Sequence, residues 1–350
     1  MRPGGRLLRA DLHVHTRHSR LETLPILGAR DCYSDPRTVY LQAKARGMDL
    51  VTFTDHNTID GCLGLLEAVG DLPDFFISEE VSVRDPRTGC RLHVGVYGID
   101  EDIHREIQRL RDDVRELLLY LRERRIPASL NHVGSSLVRA DLPVGDLVDL
   151  AAAFPLLETR NGAQRVASNS LASSLADAVE KSGQAVGRTG GSDAHTSRRI
   201  GWAWTEAEAE NRDAFLNALR DRRVAPQGES ARLAPMVKDV YRIVSGYYRD
   251  LAFNRNLHFG PVERWKALAC ALVSLPLHLV ALPAVGTAFR QIRVHDAARR
   301  FGVALEAAPG NSRRAVAGGS DFLVPAGPKQ AGNPVASGVA WIPRPGSEEA

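Results

Sequence analysis

The sequence is sparing with the residues that most quickly define a protein class. Four cysteines occur in 350 residues, Cys32, Cys62, Cys90 and Cys270, and no two form a Cys-x-x-Cys pair. That spacing excludes a disulfide scaffold and a cysteine-based zinc finger. It suits a reducing compartment, so a cytoplasmic location is expected. Neither sign of charge is in excess: 45 Lys and Arg face 42 Asp and Glu, a net of +3. So small a charge gives no ground for a stable nucleic-acid partner. Aromatic residues make up 6% of the chain and form no stripe interleaved with basic ones. There is no phosphate-binding loop, no Gly-x-Gly-x-x-Gly and no Gly-x-Ser-x-Gly, which removes nucleotide-cofactor and serine-hydrolase readings. Met1 to Thr16 include basic residues but no apolar core, so no signal peptide is expected. No internal repeat is found.

What remains is ordinary globular composition, 44% hydrophobic and 25% charged. The length fits one large α/β domain with an appendage, or two domains. Up to about residue 225, short apolar runs alternate with amphipathic helical stretches. Candidate strands are Arg6–Leu12, Asp49–Phe53, Phe75–Ser78, Leu92–Tyr97, Ala128–Leu130, Pro155–Glu158 and Gln184–Gly187. Asp35-Pro36 reads as a helix cap followed by proline in the first turn, and Gly47 as the stop. Ile103, Ile107, Leu110, Val114, Leu117 and Leu121 make one helical stripe. Thr205 and Glu208 fit a capping box ahead of a helix carrying Phe215, Leu216 and Leu219. Such alternation predicts a mostly parallel sheet or a barrel, with a site in the loops after the strands.

Residues 226–307 are expected to form a helical extension. Within it, Ala267 to Phe289 holds no charged side chain and is long enough for a hydrocarbon core of roughly 30 Å. Pro276, His278 and Pro283 argue against a straight spanning helix, so the stretch reads either as a membrane contact or as a buried, broken helical pair. Residues 308–350, rich in Gly, Pro, Ser and Ala, are expected to be a disordered tail.

Chemistry gathers at the ends of the apolar runs. His13-Val14-His15 follows the first; in an extended segment both imidazoles point the same way and can reach one ion. Asp55-His56 follows Leu50–Phe53, Glu79-Glu80 follows Phe75–Ile77, and His93 sits in Leu92–Val94. Asn131-His132 follows Ala128–Leu130, and Asp193-Ala194-His195 ends a glycine-rich run. Any one of these could be a cap or a satisfied histidine. Carboxylates converging in one cleft repel one another unless cations lie between them, so the set together points to metal. Imidazole and carboxylate donors suit zinc, manganese or iron.

The order of these segments resembles the polymerase and histidinol phosphatase (PHP) superfamily. The resemblance rests on Asp11-Leu12-His13-Val14-His15-Thr16, Thr54–Thr58, Glu80-Val81-Ser82, His93, His132, Glu158–Gly162 and Gly191–His195. It implies a distorted (β/α)7 barrel of PHP type over residues 1–225. It also implies a centre of two or three divalent metal ions and hydrolysis of phosphoesters. Carried over position by position, it implies one pocket from His13, His15, Glu80 and Asp193. A second would share Glu80 and add His93 and His132. A third would use His56, His195 and an early acid, Asp35, with His18 as competitor. Ser34-Asp35 stands after an insertion, Arg20 to Cys32, where short members of the family place the acid a few residues after the histidines. Asp193, His56 and His195 are the catalytic candidates, either histidine able to protonate a leaving oxygen if not metal-bound. Asp11, Asp55 and Asn131 either orient imidazoles or cap backbone groups. Arg17, Arg160 and Arg198 are candidates for substrate phosphate. The expected substrate is a small phosphorylated metabolite or nucleotide; a nuclease trimming short nucleic acid and a non-catalytic binding or scaffold module are the alternatives.

Overall fold

The computed structural model describes residues 6–20, 29–139, 142–253, 261–280 and 282–307. β1 (Arg6–Ala10) turns Leu8 and Ala10 inward in simple alternation. It pairs antiparallel with β7 (Ala203–Ala209), which pairs antiparallel with β8 (Ala225–Gly228). A second sheet runs in chain order through β2 (Ser78–Arg84), β3 (Arg91–Tyr97), β4 (Ala128–Asn131), β5 (Leu156–Asn161) and β6 (Gly187–Gly191). Only its last two pairings are parallel. The sheet is therefore mixed, not mostly parallel. The cause is local: Asp85 to Gly89 form a tight turn, with the Gly89 amide donating to the Asp85 carbonyl and Gly89 at φ 70°. That returns β3 alongside β2 with no room for a crossover helix.

The expected barrel is not closed by continuous ladders among the described residues. Isolated parallel bridges, Ala10 to Leu50, Val51 to Phe75 and His56 to Glu80, link β1 to β2 by way of residues 50–56. On the other flank the Thr205 hydroxyl accepts from the Gly190 amide and donates to the Gly190 carbonyl, both at 2.8 Å. The result is two sheets drawn together around one rim.

The helices follow their capping signals, with two departures. α1 (Pro36–Ala45) starts at Asp35, which accepts from the Arg37 amide, and Gly47 follows it at φ 81°. α2 (Asp60–Val69) covers the next segment. The single stripe expected from Ile103 to Leu121 is two helices, α3 (Glu101–Leu110) and α4 (Val114–Glu123). Asp113 divides them by capping the Arg115 amide, a local bond that competes with helix continuation. α5 (Val133–Ser136), α6 (Val144–Ala152) and α7 (Val166–Lys181) flank β4 and β5. The expected capping box fails: Thr205 and Glu208 lie in β7, and α8 (Arg212–Arg220) is capped by Asn211.

The main core lies between the second sheet and α3, α4, α6 and α7, around Ile107, Leu117, Leu121, Leu130, Leu150 and Leu175. Each such side chain contributes roughly 1.5–3 kcal/mol by leaving water. Three further helices follow: α9 (Leu233–Phe253), α10 (Pro261–Val280) and α11 (Leu282–Ala307). Ala298 and Phe301 of α11 join the main core, whereas Ala267 and Ala271 of α10 pack only with Leu251 and its neighbours. No single described helix is long and apolar enough to cross a membrane; α10 and α11 qualify only as a pair bent by 70°. The stretch is thus a broken helical pair, though not a buried one. The expected disordered tail lies outside the described residues.

Candidate metal centre

His13 and His15 are aimed by backbone pairing. The His15 amide donates to the Ala194 carbonyl and the Ala194 amide to the His13 carbonyl, holding this segment extended beside residues 193–195. Val14 then faces the core and both imidazoles face the rim. Gly191 is required here, because a Cβ on it would lie 2.3 Å from the His13 Cβ. Asp11 accepts from the amides of Ser192, Gly201 and His13. Asp55 accepts from the amide and hydroxyl of Thr16. Both thus tie backbone segments together, while Asn131 donates to Glu80.

Glu80 is the hub. Its Oε2 lies 3.1 Å from His13 Nε2, 3.1 Å from His56 Nδ1 and 3.6 Å from His15 Nε2. Its Oε1 lies 3.0 Å from His132 Nε2 and 3.4 Å from His93 Nδ1. Asp193 Oδ1 is 3.7 Å from His13, 3.6 Å from His15 and 3.3 Å from His195. Side chains from six separate segments thereby meet in one place. His132 and Asp193 sit at φ 25° and 51°, backbone conformations a non-glycine residue holds only under constraint. His93 groups with His56 and Glu80, and His132 with His13 and Glu80; their rings lie 5.0 Å apart.

The acid beside His15, His56 and His195 is Asp31, not Asp35. Asp31 Oδ2 lies 3.2 Å from His56 and 3.7 Å from His195, and accepts from the Ser19 hydroxyl. Asp35 stands apart, its oxygens taken by the α1 cap and by Arg17 at 3.1 Å. An antiparallel bridge between Arg20 and Arg30 explains the substitution. It clasps the two feet of the insertion, so residue 31 arrives in space beside Ser19. His18 belongs to none of the convergent groups; its imidazole nears Gly64 on α2.

The buried imidazoles and carboxylates shift one another strongly. Burial opposes charge on His13, yet Glu80, Glu158 and Asp193 lift its pKa well above the ordinary value. His56 is likewise disfavoured by burial but carried to about 9 by Glu80 and Asp31. Burial together with the neighbouring His195 and His56 drives His15 down to about 3, which leaves its lone pair free. Burial works against Glu80, Asp31 and Asp193 too, and the imidazoles hold all three well below the carboxylate range.

Residues 167–224, which form most of α7 and all of β6, β7 and α8, match the family model described as PHP-associated.

Over those residues the chain is similar to the PHP-associated family. A 54-residue stretch is 41% identical to an uncharacterised protein of Methanocaldococcus jannaschii, covering 15% of this chain and 32% of that one. The chain thus spans about a third of the length of that curated relative. Among solved structures, PsfC from Pseudomonas syringae aligns over 69% of this chain and 98% of its own, at 17% identity and TM-score 0.47. A protein from Bifidobacterium adolescentis, assigned as a metal-dependent phosphoesterase, aligns over 62% and 96%, at 15% identity and TM-score 0.41. An amidohydrolase from Chromobacterium violaceum, with bound sulfate and no metal, aligns over 62% and 97%, at 17% identity and TM-score 0.40. At this distance only the side chains of this chain decide its chemistry.

In this chain the donors fit cations. His13 Nε2, His15 Nε2, Asp31 Oδ1, His56 Nδ1, Glu80 Oε2, His93 Nδ1 and His132 Nδ1 are buried and make no hydrogen bond. Each such group costs roughly 1–3 kcal/mol. Divalent ions among these nitrogens and carboxylates would remove that penalty.

The second layer was only partly legible. Glu158 accepts from His13 Nδ1 at 2.8 Å, and from the His132 amide and the Asn161 side chain. It fixes which His13 nitrogen faces the cluster. A β-bulge between Glu158 and Arg160 turns Asn161, not Arg160, toward Asp193. Arg160 instead reaches toward Ser230, Arg17 holds Asp35, and Arg198 is exposed.

Proposed function

We propose that this chain is a metal-dependent phosphoesterase that uses water to cleave a small phosphorylated metabolite or nucleotide. The observation that carries the reading is the cluster of buried, unpaired imidazole and carboxylate atoms around Glu80 and Asp193. We assign His13, His15 and Asp193 to one ion. Glu80, reaching His13, His132, His93 and His56, would connect it to a second. Asp31, His56 and His195 would hold a third, beside His15.

Divalent ions held there would acidify water and draw charge from a phosphoryl oxygen. The chain's own groups supply the rest. Glu80 and Asp193 would offset the cationic charge. Glu158 and Ser19 orient His13 and His15 through their far nitrogens. His195 stands at the open edge; burial disfavours its charged form, but Asp31 and Asp193 outweigh burial and raise its pKa, so it is the group placed to hand a proton to the leaving oxygen when it is not a ligand.

The test is metal analysis of purified protein beside a release assay. The assay would offer a nucleoside bisphosphate, a sugar phosphate, a short RNA and an amide. Turnover of a phosphorylated small molecule is expected; cleavage of RNA or amide alone would redirect the assignment. His13→Ala and Asp193→Ala should each lose bound metal and turnover, whereas Asp35→Ala should keep both. Full metal content and turnover in His13→Ala and Asp193→Ala would sink the reading, and so would a metal-replete wild type inert on every substrate.

A further inference from the structure

Ala267 to Phe289 contains no charged side chain, and the helices that carry it present their apolar groups to the outside. Leu272, Val273, Leu277, Leu279, Val285 and Phe289 are all more than half exposed, Val273 at 81%. An apolar surface of this kind with a polar rim marks a docking face. Three observations select its occupant.

The polar groups inside the stretch are satisfied internally. The Ser274 hydroxyl donates to the Cys270 carbonyl, the Thr287 hydroxyl to the Pro283 carbonyl, and the Tyr248 hydroxyl meets His278 Nδ1 at 2.6 Å. Such pairing is what a hydrocarbon medium demands, since it offers no partner. The rim is cationic: Lys266 precedes the stretch, Arg290 and Arg293 follow it, and all three are exposed. Anionic head groups complement that rim, whereas a second copy would bring like charges together. The two helices bend by 70°. The apolar part of α10, Ala267 to Leu279, is about 20 Å long, shorter than a bilayer core of roughly 30 Å.

We propose that the α10–α11 hairpin docks on an anionic lipid bilayer, lying within one leaflet, and that α9 holds the metal centre beside it. α9 reaches both places. Asp239 near its start binds Thr196 and Arg199, just past His195. Gly246 packs on the Tyr33 ring, two residues from Asp31. Tyr248 meets α10. The docking does not depend on the hydrolase reading, because vesicle binding and turnover are separate measurements.

The experiment is flotation of the full chain with vesicles of phosphatidylcholine alone, or mixed equally with phosphatidylglycerol. The chain should float with the mixed vesicles and less with the neutral ones. Leu272→Glu with Leu277→Glu should abolish flotation while leaving metal content and the melting transition unchanged. Arg290→Ala with Arg293→Ala should weaken binding to mixed vesicles by roughly twentyfold and leave neutral vesicles unaffected. A wild-type chain that stays soluble with both vesicle types overturns the proposal, as does flotation untouched by the paired glutamates. A soluble dimer that those glutamates dissociate would instead name a second copy as the occupant.

Discussion

The rim of the sheets and the C-terminal hairpin depart from the usual partition of side chains in opposite senses. The rim buries Glu80, Asp193 and the imidazoles of His13, His15 and His132, which water would normally solvate, and the hairpin exposes Leu272, Val273 and Phe289, which water would normally exclude. In the first region the price of burial falls on unpaired lone pairs, and in the second on uncovered methyl groups. The two proposals complete them with partners of different kinds: cations for the rim, an apolar medium for the hairpin. The surrounding protein is conventional, with a well-filled core and helices capped by Asp35, Asp100, Asp113 and Asn211.

That contrast breaks or sharpens under specific changes. Glu80→Gln keeps the shape of the hub and removes its charge. It should lower kcat/KM by at least roughly 10³-fold and reduce bound metal, measured by steady-state kinetics and elemental analysis. A variant near wild type would show that the rim does not depend on cations. Chelation should expose the same dependence through pH. The folded-state pKa of His56 stands near 9, above its ordinary 6.5, lifted by Glu80 and Asp31 despite burial. A raised histidine stabilises fully below about 6.5 and loses that contribution as pH climbs through about 9, an effect of order 3 kcal/mol. His13, His132 and His195 are also raised and act with the same sign. Chelated protein should therefore melt at falling temperature from pH 6.5 to 9. Metal-loaded protein should not, because metal displaces those protons and binds better as pH rises. Parallel curves would break the link between the cluster and metal.

A smaller effect is expected one layer out. Glu158→Gln leaves the ligands in place but loosens His13, so a loss of roughly 10- to 100-fold in metal affinity or turnover should follow. The smallest belongs to the hairpin. Leu277→Ser in lipid-free solution should change stability by less than about 0.5 kcal/mol by thermal melt, because its side chain is 62% exposed. The same substitution at Leu117, fully buried, would cost several times more. A large destabilisation at Leu277 would mean that the hairpin is covered within the protein.

The sequence revealed the convergent residues better than the scaffold that joins them. His13, His15, Glu80 and His132 were identifiable because each stands at the end of an apolar run, and Asp193 because it ends a glycine-rich one, where strand geometry delivers side chains to one rim. The antiparallel return of β3 was hidden because Glu79 and Glu80 made β2 look polar, although both are fully buried. Glu79 satisfies that burial through His104 and Gln108 on α3, a pairing with no local signature. Thr205 and Glu208 imitated a capping box because the motif is short and a strand can carry it equally well. Asp31 was passed over because its neighbourhood depends on Arg20 and Arg30 coming together across the insertion, a contact that linear spacing conceals.

The clasp between Arg20 and Arg30 separates length from position. Whatever the chain places between those feet, the residues on either side are returned to the same spot, so Ser19 and Asp31 remain neighbours. Evolution can therefore lengthen, trim or exchange that excursion without disturbing the residues gathered next to it. A laboratory library of insertions should find the same tolerance there.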